Sequence, residues 1–408
     1  MNSLSLLAGR LPLVSFDYQP RTRLVFGNNT LDRLGTLARE LGGQRVLLVT
    51  DKGIVAAGHA ERARQVLHAA GVKVTLFNGV HENPGTQDVA ECVQAAQSGQ
   101  VDLIVGLGGG SAMDTAKGGN FILTNGGRMQ DYWGVGKATR PMLPLIAVPT
   151  TAGTGSECQS AALIIDERTH QKMACLDSKA AARVAILDPL LTLSQPPRVT
   201  ALTGIDAIAH AVETAVTTPR TALSLMYSVE AFKLLGAGLP EVVRTPNEVE
   251  GRARMQLGAA LAGLAIENSM LGAAHAAANP LTAHYGLVHG QAVGLMLPLV
   301  VRYNAQSDAT ANGYTALAAA AGLARPNDRG DEALRPLVSF VEWLLNLAQV
   351  PRSLVECNVD RAKVPALAEE AARQWTARFN PRPVTAADFM GLYEAAFEPR
   401  GDGMTALR

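Results

Sequence analysis

VDLIVGLGGGSAMDTAKGGNFIL, residues 101–123, decides the architecture. An apolar, β-rich run ends in Gly108-Gly109-Gly110-Ser111 and passes straight into a helical pattern. Glycines let the backbone turn sharply and approach a ligand, and the helix that follows points unsatisfied N–H groups and its positive dipole end at an anion such as a phosphate. The same turn also serves as a plain connection, with Ser111 as N-cap and Asp114 as a capping-box acid. Turned toward a phosphate, Asp114 would repel it, so its carboxylate is expected to face its own backbone.

The pattern recurs on both sides. RVLLVTD (45–51), VKVTLF (72–77), LPLIAVPT (143–150) and RVAILDP (183–189) are further strand-like runs separated by helical stretches. Such alternation predicts a mainly parallel, Rossmann-like α/β sheet with helices on both faces and ligands at the carboxyl ends of its strands. After Ser194-Gln195-Pro196-Pro197 strand-like runs disappear and alanine- and leucine-rich helical patterns continue to the C-terminus. The Pro-Pro pair marks the expected boundary: residues 1–195 as a dinucleotide-binding α/β domain, and 196–408 as an all-α domain for metal and substrate. EGRARMQLGAALAGLAI (250–266) is too apolar for a surface helix.

Composition narrows the function classes. The 408 residues balance 36 Lys+Arg against 36 Asp+Glu, so no net field gathers nucleic acid or an acidic membrane, and a small neutral substrate is expected. The four cysteines form no CxxC pair, which predicts free thiols in a reducing compartment. In MNSLSLLAGRLPLVSF (1–16), Arg10 interrupts the apolar run and no basic region precedes it, so no signal peptide is expected. No uninterrupted apolar run reaches the roughly 18 residues of a membrane span. A soluble cytoplasmic protein follows, and its apolar helices suggest a homodimer or larger homo-oligomer.

Two more strand ends carry polar groups. Pro149-Thr150-Thr151-Ala152-Gly153-Thr154-Gly155-Ser156-Glu157 sets several hydroxyls at the carboxyl edge, where they could hold ribose and phosphate oxygens without adding charge, or form an ordinary polar loop. Asp51 ends another strand. Its carboxylate could bond an adenosine ribose and would repel the extra phosphate of NADP, which favours NAD; strand-end aspartates are also common turn residues. Asp51 precedes the glycine loop, whereas the acid of the usual dinucleotide fingerprint follows it.

In the second half, Asp206 and His210 are four residues apart, on one face of a predicted helix. LGAAHAAANPLTAHYGLVHGQAVGLMLP (271–298) adds His275, His284 and His289 in a small-residue, apolar context. A lone histidine there would be a core residue, and a lone Asp-x-x-x-His pair a capping pair. Together they offer one carboxylate and three imidazoles where an unpaired carboxylate would be costly. A divalent cation resolves that cost, and a nitrogen-oxygen set without thiolates suits Fe²⁺, Zn²⁺, Mn²⁺ or Co²⁺.

With these motifs the chain resembles the iron-containing (group III) alcohol dehydrogenases over nearly its whole length. The shared pattern runs from Gly108-Gly109-Gly110-Ser111 with Asp114 and Ala116-Lys117, through 149–157 and Asp188-Pro189, to Gly204-Ile205-Asp206-Ala207 with His210. It ends with His275 to His289-Gly290 and Asn380-Pro381-Arg382. The resemblance implies the dehydroquinate synthase-like fold of that family and hydride transfer between a small alcohol or aldehyde and NAD, with Fe²⁺ the first metal choice and Zn²⁺ or Mn²⁺ the others. It also implies Asp206, His210, His275 and His289 as metal ligands. The cofactor would meet Asp51, Gly109, Gly110, Ser111, Thr150, Thr151, Thr154 and Lys172, with Gly108 and Asp114 in the same turn and Asn83-Pro84 as a turn beneath it.

One position departs from the family. Many members carry a second histidine four residues after the first ligand of that helix, placed to relay protons, and here that position is Asn279. An amide does not exchange a proton near neutral pH, so the relay would use water, the cofactor ribose or His284, or the substrate differs. Phosphorylated-substrate relatives with zinc would need a lysine and arginine cluster around 270–290, and that stretch has none. A non-catalytic, metal-stabilised protein would give no absorbance change at 340 nm with any alcohol.

Overall fold

The computed structural model describes residues 14–401 except 170, 326, 327 and 329. The stretch 1–13, on which most of the signal-peptide expectation falls, lies outside the described residues. By compactness the chain divides into two units, Tyr18–Gln195 and Pro196–Arg408.

In the first unit the strands are β1 (Arg23–Phe26), β2 (Arg45–Val49), β3 (Lys73–Phe77), β4 (Leu103–Gly108), β5 (Gly134–Val135), β6 (Leu145–Pro149), β7 (Ala161–Asp166), β8 (Gln171–Leu176) and β9 (Val184–Leu187). The helices are α1 (Leu34–Glu40), α2 (Lys52–Ala56), α3 (His59–Ala69), α4 (Thr86–Gly99) and α5 (Gly110–Asn125). Six strands form one sheet in the order β1-β9-β6-β4-β2-β3, and every pairing is parallel.

Burial follows position in that sheet. The inner strands β4, β6 and β9 are buried at every residue, while the edge strands β1 and β3 are largely open. A parallel strand covered on both faces must be apolar throughout, which is why LIVGLG, LIAVP and VAIL read as continuous runs. Alternate residues of β2 feed opposite sides: Val46 and Leu48 pack with Leu34 and Leu67, and Leu47 and Val49 with Cys92 and Met113. A second, three-stranded sheet, β5-β8-β7, contains the antiparallel pair β7 and β8. Neither it nor β1 is foreseen by the five runs read from the sequence.

Among its described residues the second unit has helices and no strands: α6 (Pro197–Thr214), α7 (Ala222–Arg244), α8 (Val249–Ser269), α9 (Ala273–Tyr285), α10 (His289–Asn304), α11 (Asp308–Ala320), α12 (Asp331–Leu347), α13 (Val364–Arg373) and α14 (Ala386–Ala395). Pro197 opens α6 at the first helical position, where its missing N–H costs nothing. By length and composition α7 could cross a bilayer. Its Phe232, Leu235 and Leu239 are instead fully buried, and it packs on α6 and α8. The four cysteines are free thiols, three of them buried.

Candidate metal centre and dinucleotide cradle

In the helical unit, α6 presents Asp206 and His210 one turn apart, α9 presents His275 as its third residue, and α10 begins with His289. Asp206 Oδ1 lies 3.6 Å from His210 Nε2, 3.5 Å from His275 Nε2 and 3.7 Å from His289 Nε2. Four donors each about 2.1 Å from one tetrahedral ion stand roughly 3.4 Å apart, so this spacing suits a single cation. The rings of His210 and His275 stack at 4.9 Å. Donor atoms of Asp206, His210 and His275 all lie within 4.8 Å of one another.

Asp206 Oδ1 and His275 Nε2 are buried with no hydrogen-bond partner. Leaving such atoms unsatisfied costs free energy, and a divalent ion offers what both lack. The residues therefore fit the group. Burial pushes the Asp206 carboxyl up, but the imidazoles of His210, His289 and His275 pull harder and hold it well below the carboxylate range. For His275 burial pulls down, yet the facing Glu213 and Asp206 raise its imidazole to about 9. The side chain of His289 is 35% exposed against 4–7% for the other three, so the cluster opens to solvent on the His289 side.

Behind His275 stands Glu213, whose Oε2 lies 2.5 Å from His275 Nδ1 and whose Oε1 accepts from the Ala274 amide at 2.6 Å. It lies at the end of the helix carrying Asp206 and His210, and no motif marks it. The available signal was its spacing, seven residues after Asp206 and three after His210, which keeps it on the same face. Asn380, from the Asn-Pro-Arg motif, accepts from the Ala273 amide at 3.2 Å and pairs with Asn304.

Two further candidates of this half pair with other side chains. Asn279 donates to Gln374 Oε1 at 3.0 Å and is half-buried. His284 pairs with Glu370 at 2.6 Å on an exposed surface and is no part of the cluster.

In the first unit three strand ends converge. Adjacent β2 and β4 bring Asp51 beside the glycine turn, where a Cβ on Gly108 would stand 3.5 Å from Asp51 Oδ2. Chain order is thus no obstacle, since β2 neighbours β4 in space although β3 and α4 intervene in sequence. The other Asp51 oxygen caps α2 through the Ile54 amide at 3.0 Å. Thr150 donates its amide to Gly108 O at 2.9 Å, and a Cβ on Gly110 would stand 2.9 Å from Thr154 Cγ2. Thr150, Thr151 and Thr154 are therefore seated against the glycines.

Ser111 and Asp114 correct the capping expectation. α5 starts at Gly110 with Gly109 as its N-cap, so Ser111 lies inside the first turn and caps nothing. Asp114 is buried and accepts from Ser156 Oγ at 3.3 Å instead of serving the helix end. Burial drives its carboxyl up to about 6 against the pull of Lys117 and Lys172. The fully buried Lys117 donates to Ser156 O at 2.6 Å, Ser156 Oγ at 2.9 Å and Ala161 O at 3.0 Å, binding the threonine loop to α5. Lys172, on β8, donates to Asn83 Oδ1 at 3.3 Å, and Asn83 has the left-handed φ of 53°.

Comparison with known proteins completes the account. The family model "Iron-containing alcohol dehydrogenase" matches residues 20–189, and "Fe-containing alcohol dehydrogenase family, C-terminal" matches 200–397. NAD-dependent methanol dehydrogenase of Bacillus methanolicus is 30% identical over 372 residues, 91% of this chain and 97% of that protein. A crystal structure of 1,3-propanediol oxidoreductase superposes with a TM-score of 0.90 at 31% identity, covering 94% of this chain and all of that one. Sulfoacetaldehyde reductase from Bifidobacterium kashiwanohense, solved in complex with NAD⁺, gives a TM-score of 0.85 at 27% identity over 94% of this chain and 99% of that one. With a parallel sheet ending in a glycine turn, a helical unit holding one carboxylate among three imidazoles, and both halves matched in order, the chain belongs to the iron-containing alcohol dehydrogenase family.

Proposed function

We propose that the chain moves a hydride between a small alcohol, or its aldehyde, and NAD, at a centre where Asp206, His210, His275 and His289 hold a divalent cation. The single observation that carries this is Asp206 Oδ1, a buried oxygen ringed by three imidazole nitrogens at 3.5–3.7 Å. Fe²⁺ is the first choice, and Zn²⁺ or Mn²⁺ suits the same donors. When bound, the cation supplies Lewis acidity toward an alcohol or carbonyl oxygen and the nicotinamide supplies the hydride acceptor.

The chain's own residues bind and orient. Gly108 to Ser111 and the amino end of α5 take the pyrophosphate, Thr150, Thr151 and Thr154 take ribose and phosphate oxygens, and Asp51 takes the adenosine ribose and disfavours NADP. Lys172, held on Asn83, serves the nicotinamide end. Asn279, fixed by Gln374, orients a polar substrate group and moves no proton. Residues up to 195 are the dinucleotide domain and 196–408 the metal and substrate domain. A cytoplasmic location agrees with the free thiols, and a homo-oligomer with the apolar helices.

The test combines metal analysis of the purified protein with NADH oxidation at 340 nm across small aldehydes. His275→Ala should lose the bound metal and turnover while NAD binding, followed by NADH fluorescence, stays near wild type. Undiminished turnover in that variant refutes the centre.

A further inference from the structure

An imidazole can offer Nε2 to a cation only while its ring proton sits on Nδ1. For His275 the surroundings determine where that proton is. Glu213 meets two neighbours at once, the Ala274 amide at Oε1 and His275 Nδ1 at Oε2. A backbone N–H only donates and a carboxylate only accepts, so the second contact is Nδ1–H donating to Glu213.

The arrangement is built into the start of α9. Its N-cap is Gly272, which supplies no side-chain cap. A Cβ at Gly272 would stand 3.0 Å from Asn380 Oδ1 and 3.1 Å from Glu213 Oε1. The first two amides of α9 are therefore capped by distant side chains, Ala273 by Asn380 and Ala274 by Glu213. His275 is the next residue, and its ring is pinned by the same carboxylate that caps the helix.

We propose that Glu213 is a positioning residue of the metal centre: by accepting from both Nδ1–H and the α9 amide, it holds His275 in the tautomer whose Nε2 lone pair faces the cation. This rests on the metal-centre reading above.

Glu213→Gln keeps the size and changes the chemistry. Its amide oxygen can serve one of the two donors, and its NH₂ then confronts the other. Kept on the Ala274 amide, the oxygen leaves the NH₂ donating to Nδ1, which shifts the ring proton to Nε2 and removes the donor pair. Asn380→Ala is the structural control, because it removes the neighbouring cap without touching His275. The metal-free proteins are titrated with Co²⁺, following the visible ligand-field bands, and their thermal unfolding is recorded.

We expect E213Q to bind Co²⁺ roughly 10- to 100-fold more weakly than wild type, and N380A to unfold earlier yet bind within about threefold of wild type. E213Q binding as tightly as wild type overturns the proposal. So does N380A losing as much affinity as E213Q, since helix capping alone would then account for the effect. A wild-type protein that takes up no Co²⁺ refutes the metal centre itself and this inference with it. Should E213Q fail to fold, the imidazole ¹⁵N spectrum of the metal-free wild type decides: the neutral His275 ring is expected to carry its proton on Nδ1, and a proton on Nε2 refutes the assignment.

Discussion

Among single residues, Glu157 makes the sharpest prediction. It is 3% exposed, and burial raises its carboxyl from 4.5 to about 7, against the pull of a backbone amide and Lys117. The folded chain thus holds this proton more tightly than the unfolded chain between those two values. Stability contributed by the protonated form is complete below about pH 4.5 and is lost as pH rises toward 7. Glu157→Gln should flatten that fall, worth at most on the order of 3 kcal/mol, in urea unfolding compared at pH 5 and pH 7.5. Asp114, raised to about 6, acts in the same direction, so part of the slope should remain; an unaltered slope would show that Glu157 ionises freely. The four metal candidates were legible because carboxylate and imidazole are expensive to bury in alanine-rich helices without a partner. Glu213 was legible only as a carboxylate on the face of Asp206 and His210; its pairing with His275, 62 residues further along the chain, was not.

Among elements, α6 and α10 approach each other closely. Gly290 directly follows His289, and a Cβ there would stand 2.0 Å from Leu202 O and 3.4 Å from Asp206 Cβ. Main chain touches main chain, so a methyl group must push α10 away and carry His289 with it. Gly290→Ala should cost about 1–3 kcal/mol of stability and weaken Co²⁺ binding roughly tenfold, read by calorimetric titration; unchanged affinity would mean that His289 is free to follow the ion. The strands of the central sheet announced themselves wherever both faces are covered. β1 did not, being short and at an edge. The Asp188-Pro189 motif, part of the family pattern, turns out to be structural: the buried Asp188 carboxylate accepts from the amides of Asn29, Leu31 and Leu190.

For the molecule as a whole, the two kinds of ligand fall to different units. All four metal candidates belong to Pro196–Arg408, and all the cofactor candidates to Tyr18–Gln195. A ligand present at 100 times its dissociation constant stabilises the state that binds it by about 2.7 kcal/mol. Hydrogen exchange should therefore show Zn²⁺ slowing amides of α6, α9 and the start of α10, and NAD slowing those around 51, 108–114 and 150–156. Protection by NAD confined to the helical unit would refute the cradle. The change from strands to helices was plain at Pro196-Pro197, since losing the alternating apolar runs leaves no other way to bury so many alanines and leucines.

The contact at Gly290 has a further bearing on which ions the enzyme accepts. Where two backbones abut with no side chain between them, repacking of neighbours has nothing to adjust, so the gap between the helices that carry Asp206 and His289 behaves as a rigid gauge. Iron, zinc, manganese and cobalt, similar in size and at ease with imidazole, can exchange within it. Calcium, which demands longer bonds and more oxygens, cannot be admitted by any gradual loosening of the surroundings.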